Sequence, residues 1–131
     1  MPEDAQLLLA AAELAREQAY APYSLLFVGA AVMSSKGKMY AGCNVENASF
    51  GLSICAERTA IFAAIAAGER RIQSLAVVSS ADGPSMPCGA CRQVIQEFAA
   101  SPDMSISLAG TKGAMVETTL AELFPRPFTL P

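Results

Sequence analysis

CAERTAIFAAIAAG at residues 55–68, LAVVSS at 75–80 and CGACRQVIQEFAA at 88–100 decide how this chain folds. The first and third are rich in Ala, Glu, Arg and Gln, which favour helix. The second is a short apolar run suited to a buried strand. Gly68 stands where a helix end favours glycine, and DGPSMP at 82–87 reads as a loop. Working outward, FVGAAVMS, the turn SKGK around Gly37 and MYAGCNV form a β-hairpin pattern. Residues 4–19 suit a helix that APYS at 21–24 stops, because Pro22 disfavours helix in the residue before it. SISLAG at 105–110 and AMVET at 114–118 read as two further strands, and Thr119 opens a last helical turn through Leu123. The alternation predicts an α/β chain with a mixed sheet covered by helices. No repeat, linker or low-complexity tract interrupts it, so residues 1–131 are expected to form one domain.

Both central helices open on cysteine. The chain has four cysteines and no histidine, so a divalent metal must be held by thiolates and neutral-pH proton transfer must fall to a carboxylate. Cys88 and Cys91 are three apart, on one face of a first helical turn, and Cys55 begins the other helix. Helix N-termini favour thiolate over thiol. Three sulfurs leave one corner of a zinc tetrahedron open, as a catalytic site requires. Arg58 and Arg92, each next to this set, are placed to offset the excess negative charge of three thiolates on a dication. Glu57, two residues after Cys55, is the proton shuttle within reach. Other readings remain open at this level. Cys88 and Cys91 match a redox pair, Cys43 would close a structural zinc site, and Glu57 resembles any acid in a first helical turn.

Composition narrows the classes. Charged residues are 16% of the chain, against about 25% in ordinary domains, and apolar residues are 53%. A domain of this size leaves much of its surface outside, so the excess predicts burial by self-association. The net charge is −3, with Arg70-Arg71 the densest basic spot, which speaks against binding nucleic acid. No apolar run reaches the roughly 20 residues of a membrane span. The start MPEDAQ is acidic where a secretion signal is basic, and the expected location is the cytoplasm.

The runs APYS (21–24), VGAA (28–31), GCNVENAS (42–49), ICAERTA (54–60), PCGACRQ (87–93) and FPRPF (124–128) together resemble the small, homotetrameric zinc-dependent cytidine deaminases, over nearly the whole chain. The resemblance implies a three-layer α-β-α sandwich with a mixed five-stranded sheet and an N-terminal β-hairpin. It implies one zinc per chain on Cys55, Cys88 and Cys91, with Glu57 as acid and base while activated water attacks C4 of cytosine. Asn44 and Glu46 match the pair that binds ribose hydroxyls, and Ala56 a position whose backbone meets the pyrimidine. Phe50 and Phe128 match aromatic positions that reach a neighbouring subunit's site in a homotetramer. Leu26 stands where the family usually has Phe against the ring, and Phe50 where Tyr is usual. The implied activity is hydrolytic deamination of cytidine and deoxycytidine in pyrimidine salvage. A modified or blasticidin-like nucleoside is the alternative substrate, and a zinc-stabilised interaction module the non-enzyme alternative.

Overall fold

Side chains alternate across a strand, and that period sorts the apolar residues of this sheet into two layers. The computed structural model of the chain describes residues 3–131. Its first strands are β1 (Val28–Ser34), β2 (Met39–Cys43) and β3 (Ile72–Ser79), followed by β4 (Ser105–Ala109) and β5 (Val116–Thr119). The helices are α1 (Glu3–Arg16), α2 (Ala56–Ala66), α3 (Gly89–Phe98) and the single turn α4 (Leu120–Leu123). The sheet runs β2-β1-β3-β4-β5, with β3 and β4 parallel and every other pair antiparallel. The one parallel pair is joined through α3, the kind of crossover a parallel pair needs.

Ala30, Val32, Leu75 and Val77 face one layer, where they pack with Ala60, Ile61 and Ile95 from α2 and α3. Ala31, Met33, Ala76 and Val78 face the other, under Leu8 and Ala12 of α1. With both faces covered, β1 and β3 read as near-continuous apolar runs, and alternation is hidden in their sequence. The result is a helix layer on each side of a mixed five-stranded sheet with an N-terminal hairpin, as the sequence predicts.

Two glycines set how closely helices approach the sheet. A Cβ on Gly29 would collide with the Ala12 carbonyl of α1. One on Gly42 would lie 2.5 Å from the Ala60 nitrogen of α2. These contacts bring α2, which carries Glu57, tightly against the hairpin.

Some boundaries differ from expectation for physical reasons, and others fall where the sequence places them. The first helix stops at Arg16, and residues 17–19 form tighter turns such as Glu17 N–H to the Leu14 carbonyl (3.2 Å). The chain is drawn away there because Tyr20 pairs with Asn44 and Glu46 (3.0 and 2.8 Å). For the same reason β2 ends at Cys43, and Val45 bridges Tyr20 and Ile54 instead of continuing along β1. At the end of α2, Gly68 takes φ 104°, and the Glu69 N–H bonds the Ala64 carbonyl at 3.0 Å, a left-handed helix stop. Thr119 caps α4, its hydroxyl accepting from the Glu122 N–H at 3.3 Å. Among the described residues no helix is long and apolar enough to cross a membrane.

Candidate metal centre and substrate cavity

Cys55 is the N-cap of α2 and Cys88 the N-cap of α3, with Cys91 in the first turn of α3. Topology thus delivers three sulfurs to one place from two helix starts. The three Sγ atoms all lie within 4.8 Å of one another, and Cys55 and Cys88 are 3.9 Å apart. Tetrahedral zinc with Zn–S bonds of about 2.3 Å needs sulfurs about 3.8 Å apart. The residues therefore fit a zinc ion. Among the described residues, Cys43 is not part of this group. It sits half-buried at the end of β2, where burial pushes its thiol pKa up, as suits a neutral core thiol. The closed four-cysteine arrangement is thereby set aside.

The sulfurs are electrostatically unequal. A hydrogen bond with Cys91, helped by Arg58, lowers the Cys55 pKa to about 5 despite partial burial. Cys91 is pushed far up by that same shared hydrogen bond and by burial. A dication bound here would take the place of the proton shared between them, and its binding would release acid. Arg58 donates from Nη2 to the Cys55 sulfur at 3.4 Å, and the thiolate raises the arginine's own pKa in return. Among the described residues, the hydrogen bonds of Arg92 go to backbone carbonyls and none to a sulfur. Its guanidinium donates to the carbonyls of Pro87 (2.8 Å) and Leu123 (2.6 Å).

Glu57 is 6% exposed. Burial pushes its carboxyl pKa up, and the Cys55 thiolate adds to the effect. It lines a cavity of about 250 Å³ together with Cys55, Cys88, Ala56, Asn44 and Glu46. That places a metal group, a buried acid and polar anchors around one nucleoside-sized space. Leu26, 38% exposed, is part of the same wall.

Asn44 and Glu46 also build the wall they belong to. The Asn44 amide accepts from the Val28 N–H (2.9 Å) and donates to the Leu26 carbonyl (2.8 Å). Glu46 accepts from the N–H groups of Tyr23 (3.0 Å) and Ser24 (3.2 Å), and from the Ser24 hydroxyl. That hydroxyl holds the Glu46 carboxyl below its usual pKa, so the group is ionised. The turn it organises places Leu25 at φ 59°, a strained conformation for leucine, directly before Leu26.

Phe50 and Phe128 stay off the cavity wall. Phe50 is 75% exposed, stacks edge-on against Tyr23 with ring centres 6.0 Å apart, and borders an adjoining hollow with Ser24 and Glu46. Phe128 is 66% exposed and lies beside Gln93 on the far end of the chain. The sequence reading missed Ser24, Ile54, Val77, Ser85 and Met86, which also line the cavity. Ser24 lay inside the noted run APYS, and Ser85 and Met86 lay in the loop before Cys88. Their residue types carry no chemical signal of their own.

The family model describing the cytidine and deoxycytidylate deaminase zinc-binding region matches residues 2–106. Cytidine deaminase of Sporosarcina psychrophila is 48% identical over 126 residues, covering 96% of this chain and 92% of that protein. Its counterpart from Halalkalibacterium halodurans is 46% identical over 126 residues, covering 96% and 95%. The crystal structure of cytidine deaminase from Burkholderia pseudomallei superposes with a TM-score of 0.89 at 48% identity, covering 98% of this chain and 100% of that one. The matched region holds all three clustered cysteines and the buried glutamate, and the chain belongs to the cytidine and deoxycytidylate deaminase family.

Proposed function

We propose that this chain hydrolyses cytidine and deoxycytidine to uridine and deoxyuridine, releasing ammonia in pyrimidine salvage. The observation that carries the reading is a buried carboxyl and a three-sulfur metal group lining one cavity with Asn44 and Glu46. Cys55, Cys88 and Cys91 would hold one zinc per chain. Zinc bound there supplies a Lewis acid that makes water nucleophilic near neutral pH. Glu57 is the proton carrier: its raised pKa lets it take a proton from the attacking water and give it to N3 of cytosine. It then takes the remaining hydrogen of the added water from the C4 hydroxyl and delivers it to the departing amine as the C4–N bond breaks, so water and cytidine balance uridine and ammonia. Arg58 offsets the negative charge of the sulfurs, and Ala56 offers backbone to the pyrimidine. Arg92, bonded to two carbonyls, serves the site through the loop it holds.

Glu46 and Asn44 bind the ribose hydroxyls with the hydrogen-bonding capacity their loop contacts leave unused. Among the described residues no Lys or Arg lines the cavity, and with an ionised Glu46 this disfavours a phosphate. The substrate is therefore the nucleoside and not its phosphate. Phe50 and Phe128 complete a neighbour's site in a homotetramer of this single-domain chain, which works in the cytoplasm. Ammonia release from cytidine, deoxycytidine and their monophosphates tests the reading. Turnover of both nucleosides with phosphates at least about 10-fold poorer is expected. Preference for the monophosphates would overturn it.

A further inference from the structure

Arg92 directly follows the sulfur residue Cys91, yet its two hydrogen bonds lead away from the metal group in two directions. One reaches the carbonyl of Pro87, the buried residue that precedes Cys88. The other reaches the carbonyl of Leu123, the last residue of α4. The next residue, Gln93, donates from its side-chain amide to the Phe128 carbonyl at 3.1 Å. Two consecutive residues at the start of α3 thus hold both ends of the segment 123–128. The same arginine braces the loop that brings Cys88 to its partners. This C-terminal segment lies beyond residue 106, outside the matched family region.

A planar guanidinium that donates to two carbonyls from different nitrogens fixes them relative to each other. Lysine, a flexible point charge, does not reproduce that fork. Loss of the bond also leaves the carbonyl of a buried proline without its partner. Groups that orient metal ligands from behind typically change metal affinity by about 10–100-fold when removed.

We propose that Arg92 is a positioning residue for the metal centre: it fixes Cys88 through the Pro87 carbonyl, with the C-terminal segment as its outer support and Gln93 as the second hold on that segment. The assignment rests on Cys88 being a metal ligand, as proposed above. It differs from charge offset, which a lysine would supply equally well.

The test is the rate at which zinc-loaded protein loses zinc to a chelating dye at neutral pH. Wild type is compared with Arg92→Lys, Arg92→Gln, Gln93→Ala and the Arg92→Gln/Gln93→Ala double variant. Arg92→Lys and Arg92→Gln are both expected to release zinc about 10-fold faster or more. Gln93→Ala is expected to act more weakly in the same direction, and to add nothing to Arg92→Gln, because the tail acts through the arginine. Wild-type release from Arg92→Lys would show that charge suffices and overturn the proposal. An additive double variant would do the same, as would a lowered thermal midpoint with unchanged zinc release. Gln93→Ala removes one amide from an intact helix, so it remains decisive where Arg92→Gln folds poorly: wild-type zinc release from it contradicts the proposal. A wild-type chain that takes up no zinc overturns this inference and the functional reading together. One that keeps zinc and spares cytidine overturns the functional reading alone.

Discussion

Cys55 and Glu57 stand two residues apart, and their surroundings move them in opposite directions. A hydrogen bond with Cys91 and the Arg58 guanidinium favour thiolate on Cys55, while burial favours the protonated carboxyl on Glu57. That split is what a metal ligand beside a proton carrier needs. Glu57→Gln is isosteric and leaves all three cysteines in place, so the variant should keep zinc at wild-type stoichiometry and lose about 10²-fold or more in rate. Metal analysis and ammonia release on one preparation check this, and near-normal turnover would remove Glu57 from its role. At this scale the sequence was most legible where the chemistry is rare. In a chain without histidine, three cysteines and a glutamate at this spacing converge on a thiolate metal site with an acid beside it. The second duty of Asn44 and Glu46, building the loop behind Leu26, was not legible, because nothing local shows which N–H groups a carboxylate will meet. The left-handed Leu25 was equally hidden, since leucine there goes against its own backbone preference.

Between elements, the site depends on how closely α2 lies on the hairpin. Gly42→Ala places a Cβ 2.5 Å from both the Ala60 nitrogen and the Thr59 hydroxyl. Moving α2 to relieve this should cost about 1–3 kcal/mol and weaken zinc retention, because the helix start carries Cys55. Gly51→Ala meets nothing within 4 Å and should stay within about 0.5 kcal/mol of wild type. Denaturant unfolding of the two variants makes the comparison, and equal stabilities would contradict the packing argument. The far end of α2 is tied differently. The Tyr40 hydroxyl donates to buried Glu69 at 2.9 Å and holds its carboxyl below the usual pKa, with Ser34 and two lysines assisting. A lowered folded pKa gives stability that is present above the unfolded value of about 4.3 and lost as pH falls through the folded one. The thermal midpoint of Glu69→Gln should therefore lie below wild type at about pH 6, with the gap closing as pH drops towards about 3. A gap independent of pH would refute the linkage. Helices and strands were foreseen because Ala-rich helices and apolar strands differ sharply in composition. The ends of α1 and β2 were not, since both stop where Tyr20 pairs with the distant Val45 and Val45 with Ile54.

For the whole molecule, a low charge content foretold apolar surface in excess, and the fold shows where much of it lies. Tyr20, Tyr23, Leu25, Val45, Phe50 and Leu52 are all exposed, and they belong to the segments 20–26 and 45–52 that flank Leu26, Asn44 and Glu46. Composition could give the excess but not its address, which only the sheet order and loop pairings decide. If neighbouring chains cover this surface and share aromatic residues, Phe128→Ala should cut activity at least about 10-fold while leaving zinc content unchanged. Dilution to monomers should abolish turnover in step with dissociation. Sedimentation and rate measured over one concentration series check both, and a fully active monomer would end the shared-site proposal. The central claim is that three thiolates hold a zinc ion which, with Glu57, converts cytidine to uridine. Its most direct test is ammonia release from cytidine by the native protein, by the same protein stripped with a chelator, and by the stripped protein given zinc again. The account predicts activity that disappears with the metal and returns as zinc reaches one per chain. Undiminished turnover after stripping, or zinc-replete protein that leaves cytidine untouched, would contradict it.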